Sequence, residues 1–456
     1  MAIIVCDDFR IGGYSRRLVI RNPLRLFVLF TVVLYVEVLV RTMEASIHHN
    51  VDPDDEIPFF VDVVSPEEEQ FMKSMVRHID REVDTNEVCL SPSCLEKVAE
   101  KLARAYRKPT FQRWCATSPP RGLTESDYYG LLMVKVPKAA SSTAAAVTLR
   151  IQNQIQNRTQ QTCRVEYDHR LAISYAKSPP SQSFMWTSIR DPTKRALSRI
   201  FFTDISFKNR EPSDQVILSG LAREHPKFGT ISAGQGGFQV KYTTLHNIPE
   251  LSGSTQENRT IVTRPERVVL SVKRIVESYG FLALVERLDE SLVALSMLLN
   301  LPLTDVMISS SSKVAGSSYF MRFGKCVKLV KAFVSPVVKE YLESKAWLSQ
   351  NYGDTLLHMT VNKSLDLTID QRLGRAAFNR KLTEYKRLKA IDAARCAPNT
   401  ILPCSKDGVN QVGASRDNCY AEDYGCGYPC IDKMLKDDTL HTKEQRALWQ
   451  PSTSWL

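Results

Sequence analysis

One segment sets the interpretation of the whole chain, and it reads Leu131-Leu132-Met133-Val134-Lys135-Val136-Pro137-Lys138-Ala139-Ala140-Ser141-Ser142-Thr143. Its first half is apolar and rich in Val and Leu, which predicts a buried strand that is broken at Pro137. Residues 144–150 are good helix formers, so we predict a strand, a tight basic loop and a helix. Because the first N–H groups of a helix lack partners and carry partial positive charge, this loop is a candidate anion site.

The loop differs from the P-loop of nucleoside-triphosphate enzymes. In that loop the lysine follows the glycines, in the pattern G-x-x-x-x-G-K-[ST]. Here Lys138 comes first and no glycine follows it. A lysine before Ser and Thr, after a strand, resembles the 5′-phosphosulfate loop of sulfotransferases, which bind 3′-phosphoadenosine-5′-phosphosulfate (PAPS). The resemblance implies that the cosubstrate is bound by Lys138, Ala139, Ala140, Ser141, Ser142 and Thr143. A surface turn with an incidental lysine and capping serines is the alternative.

A second candidate phosphate motif follows another predicted strand, residues 184–189. It reads Arg190-Asp191-Pro192-Thr193-Lys194-Arg195-Ala196-Leu197-Ser198. Arg190 is expected at the carboxyl end of the strand, where ligands collect in open α/β sheets, and Pro192 suits the first turn of a helix. Arg190 and Ser198 can share one phosphate, through a guanidinium fork and a hydroxyl. The segment resembles the 3′-phosphate motif of sulfotransferases, R-D-P-x-x-R-x-x-S, at every specified position.

A third segment narrows the resemblance. Residues 279–295 predict a strand, an acidic turn and an amphipathic helix, and they contain Glu-Arg-Leu-Asp-Glu-Ser-Leu at 286–292. This is similar to the "ERFDESL" segment of Golgi carbohydrate sulfotransferases, nearest to the galactose-3-O-sulfotransferases and the uronyl 2-O-sulfotransferases. Residues 375–382 also resemble the galactose enzymes. The resemblance covers residues 128–390 and implies an α/β fold with a P-loop-like parallel sheet flanked by helices (the sulfotransferase fold).

The implied activity is transfer of a sulfo group from PAPS to a hydroxyl of a glycan or glycolipid sugar, without a metal. Lys138 would stabilise the departing phosphate. The family carries a catalytic His between the two PAPS motifs, which points to His169, and Glu166 is the second candidate base. Gln239 and Tyr242 resemble the acceptor contacts of sulfotransferases, and Arg170 beside His169 is a third candidate.

The start of the chain predicts a membrane anchor. Residues 24–40 are apolar apart from Arg25 and Glu37, which is the short end of a membrane span, and the preceding residues are basic. By the positive-inside rule the N-terminus stays cytosolic and the bulk is lumenal, as in a single-pass type II protein of the Golgi membrane. A cleaved signal peptide is the alternative. The predicted regions are a cytosolic tail (1–23), the anchor (24–40), a stem with approach helices (41–125), the sulfotransferase domain (126–395) and a Cys-rich, loop-rich tail tied by disulfides (396–456). Residues 320–350 and 370–395 are predicted to be helical, and Ser335-Pro336 should start a new helix or kink the old one.

Glycosylation and disulfide bonds are expected of a lumenal chain. Sequons begin at Asn157, Asn258 and Asn362. The chain has 11 cysteines, and all except Cys6 follow the predicted anchor, which favours a disulfide framework. A zinc site in the tail is the alternative, but paired C-x-x-C knuckles are missing from the sequence.

Composition limits the partners. The formal net charge is +10, which suits an anionic cosubstrate, whereas the scattered Lys and Arg and the lack of a nucleic-acid module argue against nucleic acid. The sequence leaves the oligomeric state open. Two other functions remain as alternatives, a phosphotransferase that uses the Lys138 loop and a glycan-binding protein with a degenerate sulfotransferase fold.

Overall fold

The computed structural model describes most of the chain beyond residue 91 and a few short segments before it. The described residues are 4–6, 10–11, 14–15, 18–20, 92–104, 130–159, 163–169, 171–172, 183–223, 237–245, 265–309, 318–322, 324–411 and 426–451. They belong to two compact units, Met1–Glu68 and Glu69–Leu456.

In the first unit the described residues form two short antiparallel strand pairs. The pairs are β1 (Ile4–Cys6) with β4 (Leu18–Ile20), and β2 (Arg10–Ile11) with β3 (Tyr14–Ser15). The predicted cytosolic tail therefore contains strands. The predicted anchor at 24–40 lies outside the described residues, among which no helix is long and apolar enough to cross a membrane.

The second unit is built on a four-stranded parallel sheet in the order β6-β5-β7-β8. Its strands are β5 (Gly130–Val134), β6 (Val165–Asp168), β7 (Ser183–Ile189) and β8 (Phe281–Leu284). Every residue of β5, β7 and β8 is buried, as near-continuous apolar runs in a parallel sheet require. This confirms the α/β class with a parallel sheet flanked by helices.

Thirteen α-helices are described. They are α1 (Pro92–Ala103), α2 (Ser141–Thr159), α3 (Pro192–Arg199), α4 (Asp214–Arg223), α5 (Phe238–Thr243), α6 (Pro265–Ser278), α7 (Leu288–Leu298), α8 (Pro336–Glu343), α9 (Lys345–Gln350), α10 (Tyr352–Thr368), α11 (Arg375–Arg395), α12 (Tyr428–Lys436) and α13 (Lys443–Trp449). Two π-helical segments, Ile200–Ser206 and Ile369–Leu373, continue α3 and α10.

Local sequence explains where the helices nearest the sheet begin. Asp191 caps α3, because its carboxylate accepts the backbone N–H of Lys194 at 2.8 Å, and Pro192 fills the first turn. Ser335 caps α8 in the same way, ahead of Pro336. Both proline-led helix starts were expected from the sequence.

The sequence predicts helix over residues 320–350, but the first part of this region is a pair of strands. Strands β9 (Tyr319–Arg322) and β10 (Lys325–Lys328) form an antiparallel hairpin before α8. Gly324 lies at the turn with φ 77°, a conformation that favours glycine and ends any helix there.

The C-terminal region contains two helices rather than only loops, and it packs on α11. Lys381 Nζ donates to the carbonyls of Leu448 and Gln450, both at 2.8 Å, and Trp449 Nε1 donates to Glu384 Oε1 at 2.8 Å. Disulfides join Cys326 to Cys404 and Cys396 to Cys430. The described tail is thus part of the second unit.

Candidate active site

The candidate site lies where the strand order of the sheet reverses. From β5 the chain crosses to β6 on one side, and β7 then pairs with β5 on the other side. The carboxyl ends of β5 and β7 therefore flank a topological switch point, where open α/β sheets bind ligands. The Lys138 loop follows β5, and Arg190 follows β7 directly. The structure thus brings the two predicted phosphate motifs to one edge of the sheet.

The Lys138 loop has an unusual backbone. Lys138 and Ala140 have φ angles of 63° and 55°, in the left-handed region that residues other than glycine rarely adopt. Contacts around the loop hold it there: the Ser188 hydroxyl donates to the Ala139 carbonyl, and Ala139 N donates to the Val136 carbonyl at 3.2 Å. Left-handed residues placed among right-handed ones turn successive N–H groups toward one side and create an anion-binding concavity. Such strain is typical of ligand sites.

The expected loop ligands differ in exposure. Ala139 and Ser141 are buried, Ala140 and Thr143 are half-buried, and Ser142 is exposed. Helix α2 begins here, since Ala144 N donates to the Ala140 carbonyl at 3.0 Å. Of the three hydroxyl residues at the start of α2, Ser142 is the most exposed.

The Lys138 side chain rests on an aromatic ring. Its Nζ lies 3.4 Å from the centroid of Phe202, and it forms no ion pair with any residue in the described part of the chain. Burial, together with the positive charge of Arg190, lowers the pKa of Lys138 to about 8. A partly desolvated ammonium without a carboxylate partner is ready to bind an anion.

Arg190 adjoins this loop. Its Nη1 donates to the Lys138 carbonyl at 3.0 Å, and its buried Nε has no hydrogen-bond partner in the described structure. Burial lowers the pKa of Arg190, although the carboxylates of Glu286 and Asp191 act in the opposite direction. Buried polar groups without partners are rare, so the open Nε marks a place for a ligand acceptor.

Gln239 holds the backbone of Arg190. Its Oε1 accepts Arg190 N–H at 2.9 Å, and its Nε2 donates to the Arg190 carbonyl at 2.7 Å. Its own N–H donates to the carboxylate of Asp354 at 2.8 Å. Gln239 is completely buried, so the structure gives it a positioning role that differs from the acceptor contact expected for it.

Tyr242 lies one turn further along α5. It is 7 % exposed, and its ring stacks on Phe238 with 4.8 Å between centroids. It belongs to a small apolar cluster with Val136 and Ala139, which flank Pro137 and Lys138 in the loop. Burial raises the pKa of the Tyr242 hydroxyl. Its ring therefore supports the loop.

His169 stands at the end of β6, beside β5. The ring is exposed, and its Nδ1 lies 2.8 Å from the Lys135 carbonyl. A carbonyl only accepts, so Nδ1 carries the proton, and Nε2 is the acceptor nitrogen of the neutral ring. Asp168 accepts the backbone N–H of His169 at 2.6 Å. Arg170 lies outside the described residues.

Ser198 lies on α3 and is half-buried.

Three sites were predicted for glycosylation. Asn157 is exposed in the last turns of α2, whereas Asn362 lies inside α10 with its Oδ1 accepting from Arg287 Nη1 at 2.8 Å, and Asn258 is outside the described residues.

Sequence reasoning did not select Arg195 and Glu286 as site residues. Arg195 is completely buried, its guanidinium lies 4.2 Å from the centroid of Phe238, and its charge lowers the pKa of Arg190. Arg195 is the second arginine of R-D-P-x-x-R-x-x-S, so the motif itself contained the signal. Glu286 follows β8; its carboxylate lies 3.3 Å from Asp191 N and 3.3 Å from His358 Nε2.

No protein-family model, curated protein or solved structure matches this chain. Among the described residues no group of three His, Cys, Asp or Glu side chains is placed to hold a metal. The fold and the site together define an α/β protein in which the Lys138 loop and Arg190 meet at the switch point of a parallel sheet. His169 lies at the end of the neighbouring strand β6.

Proposed function

We propose that this protein is a PAPS-dependent sulfotransferase that acts on a hydroxyl of a glycan or glycolipid sugar. One observation carries the proposal: Arg190 Nη1 donates to the carbonyl of Lys138 at 3.0 Å. This contact joins the two motifs that resemble the 5′-phosphosulfate and 3′-phosphate sites. PAPS has an anionic group at each of these positions, so it matches two neighbouring basic sites better than a nucleotide with one phosphate chain.

In the proposed reaction the acceptor oxygen forms a bond to sulfur while the bond from sulfur to the phosphate oxygen breaks. His169 Nε2 takes the proton of the acceptor hydroxyl. Lys138 and the N–H groups at the start of α2 stabilise the charge that develops on the departing phosphate. Arg190, with Ser198, holds the 3′-phosphate and keeps the cosubstrate in place.

The acceptor and the location follow from the resemblance. The galactose and uronic acid enzymes imply galactose 3-O or uronic acid 2-O sulfation in the Golgi lumen, with the chain anchored by residues 24–40. The disulfides Cys326–Cys404 and Cys396–Cys430 agree with an oxidising compartment.

Retention on immobilised 3′,5′-ADP, the product of PAPS, tests the proposal. We expect the protein to be retained, and PAPS to elute it at concentrations where ATP does not. Adenosine 2′,5′-bisphosphate is the matched control, since it differs only in the position of one phosphate. Elution by ATP would indicate a phosphotransferase. Sulfate transfer from labelled PAPS to galactosides, uronic acid polymers and glycolipids then identifies the acceptor, and binding without transfer to any of them would favour the glycan-binding alternative.

A further inference from the structure

Phe202 lies against the Lys138 ammonium. The distance from Nζ to the ring centroid is 3.4 Å, well within the roughly 6 Å at which a cation and an aromatic face attract each other. Phe202 is partly exposed, so the ring is not enclosed in the core.

The ring is held from behind by other aromatic side chains. Its centroid lies 4.2 Å from that of Phe207 and 5.4 Å from that of Phe320 on β9. Phe202 belongs to the π-helical segment Ile200–Ser206, and π-helical turns occur frequently at functional sites. Phe207 N donates to the Phe202 carbonyl at 3.1 Å, which fixes the backbone where the π-segment ends. The ring position is therefore set by packing and backbone together.

The charges around Lys138 explain why an aromatic ring suits this place. Arg190, at the end of β7, repels the ammonium, and Arg195 and the carboxylates of Glu286 and Asp191 surround Arg190 in turn. On the β6 side the titratable groups are Glu166, Tyr167, Asp168 and His169, and His169 is bonded to the Lys135 carbonyl. A carboxylate beside Lys138 would stabilise the ammonium but would compete with an incoming anion. The face of a ring stabilises the charge and leaves the anion site open.

We propose that Phe202 is a positioning residue that holds the Lys138 ammonium charged at the anion site until the cosubstrate arrives. This role of Phe202 rests on the proposed sulfotransferase function. The contact between Phe202 and Lys138 can be tested without an activity measurement. Because the ring favours the charged amine, its removal must lower the pKa of Lys138 below the value of about 8. Any step that needs the charged amine is lost as the pH rises through that pKa, so the loss must begin at lower pH in the variant.

The test measures the amine directly and the enzyme separately. Acetylation of Lys138 by a small acylating reagent is followed against pH by mass spectrometry, with exposed Lys194 as the internal reference, in the wild type and in Phe202→Leu. The pH dependence of kcat/KM for PAPS, which reports groups of the free enzyme, is the second readout. We expect both midpoints to fall by about one pH unit in Phe202→Leu.

Two further variants separate the ring from its packing. Phe202→Trp provides a stronger aromatic face, so its midpoint should lie at or above that of the wild type, which keeps the test valid if Phe202→Leu does not fold. Phe333→Leu removes a ring that packs edge-on against the neighbouring Phe201, with 5.4 Å between centroids, and its midpoint should stay close to that of the wild type.

An unchanged midpoint in Phe202→Leu, an equal shift in Phe333→Leu or a lower midpoint in Phe202→Trp would overturn the proposal. Failure of the sulfotransferase function would look different. In that case the wild type would not bind 3′,5′-ADP, while the acetylation midpoint would still follow the residue at position 202.

Discussion

Gln239 and Arg190 are joined by two hydrogen bonds, with the Gln239 amide accepting the Arg190 N–H at 2.9 Å and donating to the Arg190 carbonyl at 2.7 Å. The amide thus fixes the residue that begins the second phosphate motif. Since Gln239 is also bonded to Asp354, the position of Arg190 depends on helix α10 as well as on β7.

Gln239→Ala should weaken 3′,5′-ADP binding by about 10- to 100-fold, because two backbone groups of Arg190 lose their partners. Isothermal titration calorimetry measures this loss. Gln156→Ala, at an exposed position of α2, is the control and should bind like the wild type. Unchanged nucleotide binding with a raised KM for the acceptor would instead assign Gln239 to the acceptor.

Gly237→Ala should lower the thermal unfolding midpoint more than Gly374→Ala does. Both glycines have positive φ, 89° and 75°, so alanine strains the backbone at either position by about 1–2 kcal/mol. Only at Gly237 would the added Cβ overlap the Asp354 carboxylate, whereas nothing lies within 4 Å at Gly374. Thermal unfolding of the two variants gives the difference, and equal midpoints would contradict this role of Asp354.

Lys138→Ala and Arg190→Ala should fail in different ways. Lys138→Ala should mainly lower kcat, while Arg190→Ala should weaken 3′,5′-ADP binding by about 10- to 150-fold, the value of one charge-assisted contact. Lys194→Ala removes an exposed positive charge on α3 and serves as the control. Steady-state kinetics and calorimetry separate the two effects. Near-normal values for both variants would refute the anion site.

His169→Ala should lower kcat by about 10²–10⁴-fold and leave 3′,5′-ADP binding intact, because the phosphate contacts lie elsewhere. In the wild type kcat/KM should fall as the pH rises through the Lys138 pKa of about 8, because the charged ammonium is lost. A pH series of initial rates shows this decline. If Glu166→Gln is inactive while His169→Ala is active, the base is Glu166.

Trp449→Ala should lower the free energy of unfolding by about 3–5 kcal/mol. Trp449 is 7 % exposed, donates to Glu384 and packs edge-on against His441 with 4.8 Å between centroids. Chemical denaturation measures the change. Val409→Ala, at a side chain that is 63 % exposed, should have little effect. A fully stable Trp449→Ala protein would show that the tail does not support the domain.

Local sequence predicted the elements of the site but not their cross-connections. The apolar run before Pro137, the Asp191-Pro192 helix start and the strand before Glu286 were all placed correctly, because each depends on neighbouring residues. The hydrogen bonds of Gln239 join it to residues 49 and 115 positions away. Sequence periodicity carries no information about such long-range pairs. Gln239 could therefore be selected as a site residue, but its positioning role could not be predicted.

The hairpin β9–β10 shows a different limit of sequence reasoning. Its residues were expected to continue a helical region, but the turn at Gly324 and the packing of Phe320 on Phe202 and Phe207 favour strands. That packing is tertiary, and it overrides the weak local preference. The same packing places the Phe202 ring against Lys138, and the sequence pattern did not predict this contact.

One side of α11 is completed by residues 448–450, which affects how the protein is made. Lys381 and Glu384 bind partners 65 to 69 residues later in the sequence. A ribosome that adds about 5–20 residues per second needs several seconds to synthesise that interval. The contacts of α11 with residues 448–450 therefore form only after that interval has been synthesised, well after α11 itself.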